Sequence, residues 1–143
     1  MTAKEYLGQV NVLDKRINAK KLQVEATRDA AEKANSVLTG MPNSATTNIR
    51  RMDDIIAKLV DLENELAADI ENLCLLRLEV TNIIFSLDDS VHATLLSLRY
   101  LQNKDWHDIA DEMRYSYRHI LKLHSHALKK VDTKRHPMPC NAT

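Results

Sequence analysis

The chain has 143 residues, within the usual span of one domain, which argues against two large independent cores and makes any second module small. Only 2 Gly and 3 Pro punctuate a sequence that is 44% hydrophobic, too few turn formers for a many-stranded sandwich or barrel, so an all-α fold is expected. Lys plus Arg and Asp plus Glu number 20 each, so no global basic field announces nucleic acid and charge has to be read by segment.

The start MTAKEYLGQV has neither the basic flank nor the apolar core of a signal peptide, and no apolar run reaches membrane-spanning length. Cys74 lies in an apolar helical run and Cys140 in a polar tail, a pattern without disulfide-framework spacing that suits a reducing compartment. A cytoplasmic protein that neither enters nor binds a membrane is the expectation.

Thr2 and Glu5 have the S/T-x-x-E spacing of a capping box, which satisfies two orphan backbone donors, and a helix is predicted to open there. Tyr6, Val10, Leu13, Ile17, Val24, Ala31, Ala34 and Leu38 form one alternating three-and-four ladder, with Lys20 and Thr27 as its polar rungs. So narrow a stripe fits a seam against one or two partner helices, ending at Gly40.

The stretch TGMPNSATTN, 39–48, concentrates turn formers and reads as a loop. Beyond it the ladder Ile55, Leu59, Leu62, Leu66, Leu73, Leu76, Val80, Ile83 and Leu87 has one discordant member, Asp69, and a second register of Met52, Ile56, Ile70 and Ile84 widens it. Two long helices joined by a short loop make an antiparallel, coiled-coil-like hairpin over 1–87, used for assembly or partner binding. Because the second helix carries more apolar surface than the first can cover, a surplus strip centred on Leu66, Leu73 and Leu76 is expected to close a homodimer. Alternating charges in DKRINAKK and DLENELAADIEN read as solvated helix surface.

Asp88, Asp89 and Ser90 mark a break, after which SVHATLLSLRYLQ, DWHDIADEM and YRHILKLHSHALKKV predict a trihelical module over 88–131. The remainder, 132–143, has two prolines and little to bury and reads as a disordered tail.

The last two of these helices fit a helix-turn-helix, which needs a small residue where the helices touch, apolar residues on their shared face and a sharp turn. Ile109, Ala110, Met113, Tyr115, Ile120 and Leu123 are its predicted core, and Ser116 is the N-cap of the second helix. The turn position that usually holds Gly, because it takes a positive φ, holds Arg114, at a cost of about 1 kcal/mol. Tyr117, Arg118, Leu121, Lys122 and Ser125 then face outward, where a recognition helix meets a major groove. Ser116 and Lys129 complete the candidate contact set, with Lys129 a backbone clamp at the helix exit. Charge agrees, since 114–135 carries a net +6 and 88–113 a net −4.

The stretch LLSLRYLQNKDWHDIADEMRYSYRHILKLHSHALKKV resembles the fourth-region domain of bacterial sigma factors. The likeness lies in the leading LRY, the tryptophan and IA pair of the first motif helix, the S-x-x-x-I recognition helix and the trailing AL. Together with the MTAKEYL start, the TGMP loop and YSYRHILKLH, the whole layout resembles the sigma-region-four-like transcription regulators of phages and prophages of Gram-positive bacteria, the ArpU and RinA type of late-gene activator. That resemblance implies a DNA-binding regulator of phage genes whose partners are double-stranded DNA and host RNA polymerase. With 1–87 committed to the hairpin, no second sigma-type domain fits, so a complete sigma factor is not expected.

No metal site is expected: His119, His124 and His126 are five and two residues apart and cannot share a helix face, and His124 is expected to pack on the long helices. Trp106 reads as a core plug. Without a Gly-rich phosphate loop, a G-x-S-x-G elbow or H-E-x-x-H, no enzyme, cofactor or small-molecule substrate is expected. Two alternatives stay open: a DNA-packaging subunit of the small-terminase kind, which also pairs a helix-turn-helix with helical oligomerisation, and a structural helical adaptor.

Overall fold

A computed structural model describes residues 1–38 and 45–135. It is all-helical among these residues, a long antiparallel helical hairpin followed by shorter helices: α1 (Ala3–Leu38), α2 (Ala45–Phe85), α3 (Ser90–Leu96), a π-helical turn (Ser97–Leu101), α4 (Trp106–Met113) and α5 (Tyr117–Arg135). Thus α2 begins three residues before the predicted Asn48, and the rest of the predicted loop, 39–44, lies outside the described residues. Two compact units can be distinguished: Met1–Leu13 with Leu73–Thr143, and Asp14–Asn72.

In the Asp14–Asn72 unit the two predicted ladders meet. Ile17, Val24, Ala31 and Leu62 are buried, while Ile55, Leu59 and Leu66 are half-buried. The discordant rungs explain one another: Lys20 Nζ lies 2.6 Å from Asp69 Oδ2, and Arg16 Nε lies 3.4 Å from the same oxygen. Lys20 also reaches Glu65 at 3.5 Å, and Arg28 holds Glu63 at 2.9 Å. Each charge that would weaken its own apolar stripe is thereby opposite its counter-ion. The hydrogen bond from Lys20 holds the Asp69 carboxyl below its ordinary pKa, with Arg16 and Lys20 adding electrostatic attraction.

The other unit starts at the predicted capping box: Thr2 N–H donates to Glu5 Oε2 at 3.1 Å, and Glu5 N–H to Thr2 Oγ1 at 3.2 Å. Ala3, Tyr6, Leu7 and Val10 of α1 meet Val80, Ile84 and Leu87, and Ala93, Leu96, Tyr100, Ala127 and Val131 close this cluster. Of the leucines expected to form a dimer strip, Leu73 and Leu76 are half-buried against this cluster and Leu66 is half-buried in the hairpin unit.

Asp89 caps α3, accepting from the N–H groups of Val91 at 2.9 Å and His92 at 3.4 Å, and the first of these bonds is the main reason its pKa is lowered. The first helix of the trihelical module is not one α-helix. It passes into the π turn, where Gln102 N–H bonds Ser97 O at 3.0 Å, and then into Asn103 at φ 54°. Lys104 N–H returns to Leu98 O, and the Arg99 guanidinium donates to Lys104 O, each at 3.0 Å, which fixes the link ahead of α4.

The predicted start of the tail is corrected as well. α5 continues through residues 132–135, and the Arg135 guanidinium lies 4.0 Å over the Tyr6 ring, a cation–π contact that carries the helix past the expected boundary at 131. Residues 136–143, including His136 and Cys140, lie outside the described residues.

Candidate nucleic-acid interface

A second core cluster assembles the helix-turn-helix. Leu95, Leu98, Ile109, Ala110 and Ile120 are buried, with Trp106, Met113 and Leu123 packed against them. Ala110 is small where α4 and α5 converge, so the two backbones can approach. Asp105 caps α4 by accepting from Trp106 N–H at 2.8 Å, and a Lys104–Glu112 ion pair ties the entry of α4 to its last turn.

The turn is built on Arg114, in the left-handed region at φ 60° and ψ 40°. Its N–H and that of Tyr115 both bond Ala110 O, so the free carbonyl at the end of α4 is satisfied without glycine. Ser116 caps α5, its Oγ accepting from His119 N–H at 3.2 Å.

Tyr115 departs from the expected core. It is 39% exposed, and its ring meets His119 edge-on at 4.9 Å. The left-handed residue before it turns the chain, so the phenol lies across the first turn of α5 rather than between α4 and α5. Beside it, His107 of α4 stacks on Tyr117 of α5 at 4.7 Å. Two exposed aromatic pairs therefore border the start of α5; neither is visible from helical periodicity, because each spans the turn or a cap.

Along α5, Ile120, His124, Ala127 and Val131 are buried and Leu123 and Leu128 half-buried. Every candidate contact residue, Ser116, Tyr117, Arg118, Leu121, Lys122, Ser125 and Lys129, is exposed. Tyr117, Arg118, Leu121, Lys122 and Ser125 border one open surface depression, joined by His126, which was not among the candidate contact residues. The first turn of α5 has no acidic residue and its last turn holds Lys134 and Arg135, so the net +6 of this segment is a property of one helix and its approach.

His124 secures the module from behind. Its buried ring meets Trp106 edge-on at 4.6 Å and stacks near Tyr100, whose Oη is 2.7 Å from Nε2. Burial, with smaller repulsion from Lys4 and Arg99, pushes the His124 pKa down to about 4, and burial pushes the Tyr100 phenol up to about 12. A neutral imidazole and a protonated phenol therefore share this hydrogen bond. The Arg99 guanidinium lies 4.4 Å over the other partner, Trp106, which is half-buried and packs as the expected plug.

Among the described residues, no three His, Cys, Asp or Glu side chains gather where they could hold a metal ion, and no helix is long and apolar enough to cross a membrane. What the arrangement offers is an open helix face with two long cations, hydroxyl donors and one apolar residue, suited to phosphates and base edges. A family described as a protein of unknown function, DUF1492, matches residues 42–132. The chain belongs to that family. The DUF1492 match takes in α2 and nearly all of the trihelical module, including every candidate contact residue, and leaves α1 outside. No curated protein and no solved structure matches the chain.

Proposed function

We propose that this protein is a phage-type DNA-binding transcription regulator that reads promoter or operator DNA with the outward face of α5 and carries out no enzymatic step. The observation that carries the reading is the division of α5 into a buried ladder and a continuous exposed face of Tyr117, Arg118, Leu121, Lys122, Ser125 and Lys129, directly after a left-handed turn and a serine cap. A module built only for internal packing has no need to keep one face of its last helix free of acidic groups and rich in donors. The phage character and host RNA polymerase as a partner rest on the sigma-region-four resemblance, and the cytoplasmic setting on the cysteine pattern and the start of the sequence.

The two cations have different roles in this reading. Arg118 is placed for a bidentate contact to guanine, worth about 1 to 3 kcal/mol at one base pair, and Lys122 for phosphate. The test is selection of the preferred duplex from a random pool, followed by anisotropy titrations of that duplex and a scrambled one at several salt concentrations. Arg118→Ala is expected to weaken the selected duplex more than the scrambled one. Lys122→Ala is expected to weaken both alike and lower the salt slope by about one charge. An Arg118→Ala/Lys122→Ala protein that binds the selected duplex like wild type would remove α5 from the mechanism.

A further inference from the structure

An exposed flank of α2 in the hairpin unit, beside the face that meets α1, carries a second regular ladder. Ile49, Asp53, Ile56, Val60, Glu63, Ala67 and Ile70 follow one another at alternating spacings of four and three, the repeat of a coiled-coil seam. Its large members are open to solvent: Ile49 is 53%, Ile56 44%, Val60 48% and Ile70 39% exposed. The unit that bears this seam is thin, because its buried side chains, Ile17, Val24, Ala31, Leu62 and Asp69, all retain some solvent contact. A two-helix layer with an apolar stripe exposed along its flank is half of a bundle.

We infer that this face binds the same face of a second copy of the chain, with the two α2 helices antiparallel. The acidic members of the seam select the direction. In a parallel, in-register pair Asp53 would face Asp53 and Glu63 would face Glu63 of the other copy, both within an apolar contact. An antiparallel pair centred between Val60 and Glu63 sets Asp53 across from Ile70, Ile56 from Ala67 and Glu63 from Val60, so no acid meets an acid in the seam. Glu63 also brings its own counter-ion, Arg28 at 2.9 Å.

The ends of the seam are complementary in this arrangement. Exposed Arg50 at one end comes level with exposed Glu71 at the other, on the same flank, and the twofold axis makes that pair twice. Sliding the helices by one heptad in one direction sets Asp53 against Glu63, and sliding them in the other direction leaves only Val60, Glu63, Ala67 and Ile70 paired within the seam, so both shifts lose contact. The inference does not depend on DNA binding. Where the α5 reading also holds, a twofold particle presents two α5 faces and the preferred DNA site is an inverted repeat.

The test is sedimentation equilibrium of the full chain. Wild type is expected to be dimeric at micromolar concentration, Val60→Asp to raise the dissociation constant about a hundredfold with helix content unchanged by circular dichroism, and Val60→Leu to remain dimeric. Arg50→Glu is expected to weaken association about tenfold and Arg50→Glu/Glu71→Arg to restore it. In a background with Cys74→Ser and Cys140→Ser, Asp53→Cys with Ile70→Cys is expected to cross-link on oxidation, whereas Asp53→Cys alone does not. A wild type that is monomeric or ring-sized, a dimer indifferent to Val60→Asp, or disulfide formation by Asp53→Cys alone would each overturn the proposal.

Discussion

The two units of the chain are stabilised in different ways. The C-terminal unit has a true interior: Leu7, Ile84, Leu95, Leu96, Ile109 and Ile120 are fully enclosed, in two clusters fed by every helix of the unit. Among its described residues the hairpin unit encloses no side chain completely, and it places an ion cluster, Lys20 with Asp69, Arg16 and Glu65, in the middle of its seam. The difference follows from geometry. Several short helices crossing one another can surround a side chain, whereas two parallel rods touch along one line. A domain fixed by enclosure holds a contact face rigidly; a rod fixed along one line gains stability by adding another rod.

The largest expected effect tests this contrast directly. Truncating Ile120, which is fully buried, leaves a cavity that its packed neighbours cannot fill, so Ile120→Ala is expected to lower stability by about 4 kcal/mol in urea denaturation. Ile17→Ala removes the same atoms at a site that keeps 3% exposure beside water, and about 2 kcal/mol is expected. Equal losses at the two positions would mean that the hairpin is as enclosed as the C-terminal unit, and the comparison would fail.

Acid should divide the units next. Folded His124 has its pKa lowered to about 4 from 6.5, so the folded state binds fewer protons than the unfolded one as the pH falls. Its contribution is complete above pH 6.5 and is lost between there and about pH 4, at an expected cost of order 2 kcal/mol. Asp69 is also lowered, but from a carboxylate value of 3.8, so its contribution is present above that pH and is lost only as pH falls further, through the folded value. The C-terminal unit should therefore weaken first. Stability measured from pH 7 to 4 should flatten in His124→Gln and keep its slope in Lys20→Gln; the reverse pattern would assign the titration to the hairpin.

The same contrast explains how much could be read from the residues alone. Helical ladders are local, so the hairpin, the capping box at Thr2 and the trihelical module were all legible, and the motif position of Arg114 foretold its positive φ. Contacts between elements were not. Lys20 and Asp69 each look like an error in their own stripe until the two stripes are placed face to face. Tyr115 was assigned to the core because it is apolar in the right register, yet the left-handed residue before it turns it outward. The π turn, the His107–Tyr117 stack and the Arg135–Tyr6 contact depend on pairings that no periodicity encodes. On α2 the surplus apolar surface was anticipated, but the largest leucines were taken to form it. The structure half-buries those leucines and leaves Ile56, Val60 and Ile70 outside.

A smaller effect separates positioning from contact within the interface. Ser116 holds one free N–H of α5 through its hydroxyl, so Ser116→Ala is expected to cost about 1 kcal/mol of stability. Ser116→Asp keeps an acceptor at the cap and should restore stability while placing a negative charge where phosphate would approach. If that variant refolds to wild-type stability and still binds the selected duplex with wild-type affinity, the start of α5 is not near DNA phosphate.

The smallest expected change runs in the opposite direction. Arg114 sits at φ 60° and ψ 40°, a conformation that costs an L-residue with a Cβ about 1 to 2 kcal/mol and costs glycine nothing. Glycine also gives the unfolded chain more freedom, which returns part of the gain, so Arg114→Gly is expected to stabilise the protein by about 0.5 kcal/mol. Arg114→Ala keeps the Cβ and should give no such gain, which separates relief of backbone strain from loss of the side chain. Both variants remove the same cation next to the cap of α5, so if this residue meets phosphate they should weaken duplex binding equally and lower the salt slope by about one charge. A glycine variant that is stabler and binds as wild type would show that the arginine serves neither fold nor contact. A stabler one that binds more weakly would show that the strained turn is retained for the charge it carries.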